Sequence, residues 1–140
     1  MNSICIFGVF VADLCFFGNK IPVKGETVLG NNHIVGPGGK GSNQAIAAAR
    51  LNGNVHFITK VGNDNHADMA FSLYKEAGVN VDCIIRDPSL STGVAGIMID
   101  EDGNNAINVF AGAAKHLNSD DVDKNLEIFK KSKIFLTQME

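Results

Sequence analysis

What the sequence has little of narrows it first. It holds only three cysteines, Cys5, Cys15 and Cys83. An odd number, set far apart in apolar surroundings, excludes a disulfide framework and offers no zinc-ligand spacing. Reduced, buried thiols in a cytoplasm fit this usage. The four histidines, at 33, 56, 66 and 116, contain no pair four residues apart, so no helical metal pair is expected. Charge is sparse as well: charged residues make up 19% and the formal net charge is −3, which leaves no basic face for nucleic acid. The N-terminal run MNSICIFGVF has no basic segment, and its apolar stretch is short and ends at Asp13, so neither a signal peptide nor a membrane span is expected. Internal repeats, low-complexity tracts and charged tails are also missing.

What is present is the composition of one ordinary globular domain. Hydrophobic residues are 45% of the 140, and a chain of that size buries about two-thirds of the surface its unfolded form exposes. Ser3–Val11 is β-branched and aromatic and reads as a buried strand with Asp13 at its carboxyl end. From Leu14 to Val35, Pro22 and Gly25 break the pattern into short pieces, of which TVLG and HIV read as brief strands of a separate small sheet. Gly41–Leu51 reads as a helix with Ile46, Ala47 and Leu51 on its apolar face, ended by Asn52-Gly53. Val55–Val61 is a second buried strand. Asp64 can cap a helix running to Ala77 and stopped by Gly78, and Val81–Ile85 is strand-like again.

Residues 92–100 and 104–110 face each other across the acidic turn Asp100-Glu101-Asp102-Gly103, a hairpin signal. Asp120 is expected to begin a last helix, with Asp123 placed for a capping box and Val122, Leu126 and Phe129 inward. Asp120, Asp121 and Asp123 read as charge favoured by a helix N-terminus. Lys133–Gln138 reads as the closing strand. The alternation predicts an α/β fold, a parallel sheet with covering helices interrupted by two hairpin-like inserts. Ligands of such sheets gather at the carboxyl ends of strands. This chain ends at such a point, so it looks like half of a larger unit.

The stretch GPGGKGSNQAIAAAR, residues 36–50, asks for an explanation of its own. Gly36, Gly38 and Gly41 satisfy a dinucleotide fingerprint in form, but Pro37 sits inside the turn and Val55–Val61 ends in Lys60-Val61, where a ribose-binding acid should stand. A P-loop fails on spacing, since its first glycine would be Ile34 and its hydroxyl residue Gly41. Glycines before a helix do let backbone and small polar groups approach a ligand closely. Lys40, Ser42, Asn43 and Gln44 crowd that helix's first turn, and a lysine there opposes the dipole.

GGKGSNQAIAAARL resembles the first signature of the ribokinase, or PfkB, family of carbohydrate kinases. The likeness continues through Gly25-Glu26-Thr27, Val61-Gly62 and Asp64, Ala77-Gly78-Val79, Ser91-Thr92-Gly93-Val94-Ala95 and Ala111-Gly112-Ala113. The resemblance implies a Rossmann-like α/β domain spanning 1–140, with lid inserts at about 14–35 and 92–110. Sugar lies between lid and sheet. It implies a substrate site of Asp13, Gly38, Gly39, Lys40, Asn43 and Glu140, with Asp13 accepting sugar hydroxyls. Read on their own, Asp13 can also be a solvated loop residue, Lys40 a surface charge and Asn43 a helix cap.

The family reaction moves the γ-phosphoryl group of ATP, bound with Mg²⁺, to a sugar hydroxyl. Its base is the Asp of a Gly-Ala-Gly-Asp segment, and no Gly-x-Gly-Asp occurs here. The base and nucleotide site are therefore expected beyond Glu140, with the chain inactive alone. The other reading is a non-catalytic sugar-binding or regulatory half that pairs with another chain. A homodimer through lid strands is also implied. Val11 stands where ribokinases carry a sugar-contacting Asn, and Ala114 where an Asn is common, which points away from D-ribose toward a more apolar acceptor.

Overall fold

The computed structural model describes residues 3–138. In chain order the elements are β1 (Ser3–Phe7), β2 (Val11–Phe17), β3 (Asn32–Gly38), α1 (Lys40–Arg50), β4 (Asn54–Val61), α2 (Asn65–Ala77), β5 (Ile84–Arg86), β6 (Gly93–Ile99), β7 (Asn105–Phe110), α3 (Ser119–Lys124), α4 (Leu126–Lys131) and β8 (Ile134–Thr137). A 3-10 turn, Gly112–His116, follows β7. The strands form two four-stranded sheets, β5-β4-β1-β8 and β3-β2-β6-β7. The first is parallel throughout. In the second, β2 runs antiparallel to β3 and parallel to β6, and β6 is antiparallel to β7.

The chain changes sheets where the sequence suggested one continuous strand. β1 stops at Phe7, and β2 starts the second sheet at Val11. Gly8 still donates to the Ile58 carbonyl at 3.1 Å, but Phe10 then turns into the core, fully buried edge-on to Tyr74. Val9, Phe10 and Val11 are all strong strand formers, so composition could not reveal the break. Asp13 accordingly lies within β2, not at the carboxyl end of β1. HIV falls inside β3, whereas TVLG forms no strand.

The main core packs α1 and α2 on the sheet. Ser42, Ala45, Ile46 and Ala49 recur at helical spacing and form the buried face of α1. Ala47 and Leu51, expected inward, are exposed. The stripe is made of small residues, which the apolar count favouring Leu51 overlooked. Asn52, at φ 63°, ends the helix as expected. Asp64 caps α2 by accepting from the Ala67 N–H at 3.0 Å, and Gly78 stops it in the left-handed conformation. The last helix is split: Asn118, not Asp120 with Asp123, caps α3 in a capping box with Asp121. Leu126 of α4 points outward, while Ile128 and Phe129 pack on Cys5, Ile58 and Cys83. Among the described residues no helix is long and apolar enough to cross a membrane.

Candidate functional site

A cleft of about 710 Å³ opens between the two sheets. Its floor is the carboxyl end of β1 with Gly8 and Val9, one side is Gly39 with Lys40 and Asn43 of α1, and Gln138 closes the end after β8. The second sheet supplies the facing wall: Val11 and Asp13 of β2, Ala95 and Ile97 of β6, Ile107 and Val109 of β7. Ala95 pairs with Val109 and Ile97 with Ile107 across the hairpin, which places those side chains on one face. Ala111, Ala114, Lys115 and Leu117 complete the wall.

Asp13 is the single carboxylate among the described lining residues. It sits mid-strand between Gly36 and Ala95, and among the described residues no hydrogen-bond donor is paired with it. Burial pushes its carboxyl above the usual range, because desolvation disfavours the charged form. Burial, then the Asp13 charge, likewise raises the Cys15 thiol. The carboxylate lies directly over Gly38: a Cβ there would stand 2.0 Å from Oδ1 and 2.4 Å from Oδ2. Gly38 thus makes room for Asp13 and is not itself among the lining residues.

The other glycines serve the chain's own backbone in the same way. Gly39 holds φ 90°, and a Cβ on it would meet the Val9 carbonyl oxygen at 2.5 Å. A Cβ on Gly41 would meet Gly8 Cα at 2.9 Å. These glycines let α1 begin against the end of β1, and the Ser42 N–H donates to the Val9 carbonyl at 3.3 Å. Ser42, one of the polar residues crowded into that first turn, faces inward and accepts from Tyr74 Oη at 2.8 Å. Burial drives the Tyr74 hydroxyl pKa far up, against the smaller opposing effect of that bond. Asn43 makes no side-chain cap; the cap residue is Gly39.

The wall segment 111–117 is held by a buried ion pair. Lys60 of β4 donates to the His116 carbonyl and to Asp121 Oδ2, both at 2.8 Å. Asp121 is 2% exposed and also accepts from the Asn118 N–H at 3.1 Å. Asp120 and Asp121 do lie in the first turn of α3, as expected of acids at a helix N-terminus; the pairing of Asp121 with Lys60 from another element is an addition to that reading. Asp64 makes a second tie: its Oδ2 accepts from the Thr92 N–H at 2.8 Å, just ahead of β6.

Of the six residues expected at a substrate site, Asp13, Gly39, Lys40 and Asn43 line one cleft and Gly38 lies beneath Asp13. Glu140 falls outside the described residues. Lys115, Leu117 and Gln138 were not singled out in advance, as they stand next to recognisable segments rather than inside them. Among the described residues no group of three His, Cys, Asp or Glu side chains could hold a metal ion.

The sequence profile of pfkB family carbohydrate kinases matches residues 1–138. The chain is 37% identical over 138 residues to a deoxyribokinase of Salmonella typhimurium, covering 99% of this chain and 45% of that protein. It is 37% identical over 140 residues to a ribokinase of Bacillus subtilis, covering 47% of it. In structure it resembles a ribokinase from Giardia lamblia (TM-score 0.90, 31% identity, 99% of this chain and 42% of that one). It also resembles an Arabidopsis thaliana ribokinase complexed with ribose and ATP (TM-score 0.88, 30% identity, 99% and 46%). The chain therefore spans under half the length of the relatives it matches.

Proposed function

The chain belongs to the pfkB family of carbohydrate kinases, and from that premise we propose that it forms the acceptor-sugar-binding part of an ATP-dependent sugar kinase. The observation that carries this reading is Asp13: a half-buried carboxylate lining a cleft of about 710 Å³, without a donor among the described residues. Such a group is satisfied when ligand hydroxyls donate to it. Lys40 and Asn43 face it from α1 and add polar partners for a polyol.

The wall opposite is apolar. Val11, Ile97, Ile107 and Val109 contribute no side-chain donor or acceptor, which disfavours burial of many hydroxyls. A 2-deoxy pentose suits the cleft better than D-ribose. Phosphoryl transfer needs a base, an anion-stabilising pocket and a metal-bound donor. This reading assigns all three, with ATP and Mg²⁺, to the part of the relatives that the chain does not span, and has the chain inactive alone. Exposed Phe16 and Phe110, on the face of the second sheet opposite the cleft-lining Ile107 and Val109, support a homodimer through its strands. A second reading, a non-catalytic sugar-binding half that pairs with another chain, is favoured by β8, an edge strand whose four residues are all exposed.

Titration of the chain with 2-deoxy-D-ribose and D-ribose tests the proposal. Tighter binding of the deoxy sugar, with the preference narrowed by Val11→Asn, is expected. Binding of neither sugar refutes the acceptor role, and phosphorylation of either by ATP with this chain alone refutes its inactivity.

A further inference from the structure

Three elements meet at the closed end of the cleft: Gly8 after β1, the first turn of α1, and Gln138 after β8. A side-chain amide fills the junction. Gln138 donates from Nε2 to Oε1 of Gln44. Its own Oε1 is buried and has no hydrogen-bond partner among the described residues. A Cβ on Gly8 would stand 2.1 Å from that oxygen and one on Gly41 2.8 Å, so both positions must lack a side chain for the amide to lie there. The position of such a Cβ is the direction of a glycine Cα–H. The oxygen is thus aimed at weak C–H donors, in an interior where unpaired polar atoms are rare.

We infer that the Gln138–Gln44 amide pair is a positioning device for the acceptor cleft. It fixes the helical turn that carries Lys40 and Asn43 against the strand end that closes the cleft. The inference rests on the acceptor-binding reading above. Neither residue is a catalytic group, because the Gln138 oxygen is turned into the protein and its nitrogen is taken by Gln44. An amide is required at 138, since the position must donate from one atom while presenting a compact, uncharged oxygen to two glycines. Gln44 needs only an acceptor.

The test uses the whole 140-residue chain and D-ribose and 2-deoxy-D-ribose as probes. Gln138→Leu and Gln44→Leu are each expected to weaken binding by up to about tenfold through the misplaced turn, with the fold retained by circular dichroism. Because both remove the same link, the double variant is expected to be no weaker than either single within about twofold. Gln44→Glu, which keeps an acceptor for Nε2, restores binding. Amide hydrogen exchange at residues 41–44 supplies a readout independent of sugar and is expected to quicken in both leucine variants. Unchanged exchange, unchanged affinity in the singles, or multiplied losses in the double variant overturns the inference. If the parent chain binds neither sugar, the acceptor reading falls and the cleft-positioning role falls with it, while the exchange data still decide whether the clamp exists.

Discussion

Gly38→Ala isolates the carboxylate of Asp13 without touching it. Gly38 lies in β3 and is not among the glycines with positive φ, so alanine is tolerated by the backbone there. The added methyl would fall 2.0 Å from Oδ1, 2.3 Å from Cγ and 2.4 Å from Oδ2. All three atoms belong to one side chain, which can leave by rotating, at a cost of about 0.5–1.5 kcal/mol if it is driven off its rotamer. The carboxylate is then lost to the cleft. Hydrogen bonds to a charged group contribute about 1.5–3 kcal/mol each, so losing two at the lower figure weakens sugar binding roughly 100-fold. Gly36→Ala is the matched control, since Gly36 pairs with Asp13 yet a Cβ on it meets nothing within 4 Å. Calorimetric titration with the two pentoses, beside urea unfolding followed by circular dichroism, separates the effects. Gly38→Ala binding within threefold of the parent, while folded, would refute the role given to Asp13.

Three further outcomes follow from the same geometry. Asp13→Asn is expected to abolish sugar binding yet stabilise the chain at neutral pH. The folded carboxyl is raised by burial, so the native state holds its proton more tightly than the unfolded state, and this site lowers stability as pH rises through that window; an Asn variant no more stable than the parent at pH 7 counts against it. Asp64 works the other way: burial raises it, but the N–H groups of Thr92 and Ala67 outweigh burial and hold it below the usual range. Its contribution is present above the unfolded carboxylate pKa and lost as pH falls through the folded value, and Asp64→Ala should cost about 1 kcal/mol as a lost cap, measured by urea unfolding between pH 3 and 7. Lys60→Met leaves Asp121 buried without its cation and should cost about 3–5 kcal/mol, whereas Lys60→Met with Asp121→Leu should recover much of that; a single variant as stable as the parent would sink the reading.

The two layers of the fold were legible where punctuation was local. Asp64 and Gly78 bracket α2, Asn52-Gly53 ends α1, and Gly103 turns the hairpin between β6 and β7. The sheet change at Gly8–Phe10 was not legible, because no turn residue follows Gly8 and tertiary packing of Phe10 decides it. The burial of Asp121 depends on Lys60, a partner too distant for any window to see. For the cleft, family resemblance supplied Asp13, Lys40 and Asn43. For the glycines, sequence says that space is needed but not which atoms fill it. Here those atoms are the chain's own.

The parallel pairing of Val11–Phe17 with Gly93–Ile99 has a consequence for the birth of the molecule. Every other contact of the second sheet joins strands close in sequence; this one spans most of the chain. Loop closure of that length makes it a late event in folding. During synthesis β2 and β3 leave the ribosome long before β6 exists, so β2 can pair with β3 while its other edge stays open. The nascent chain therefore has its aggregation hazard near its beginning, and a holdase acting in that interval would matter more to its yield than any later step.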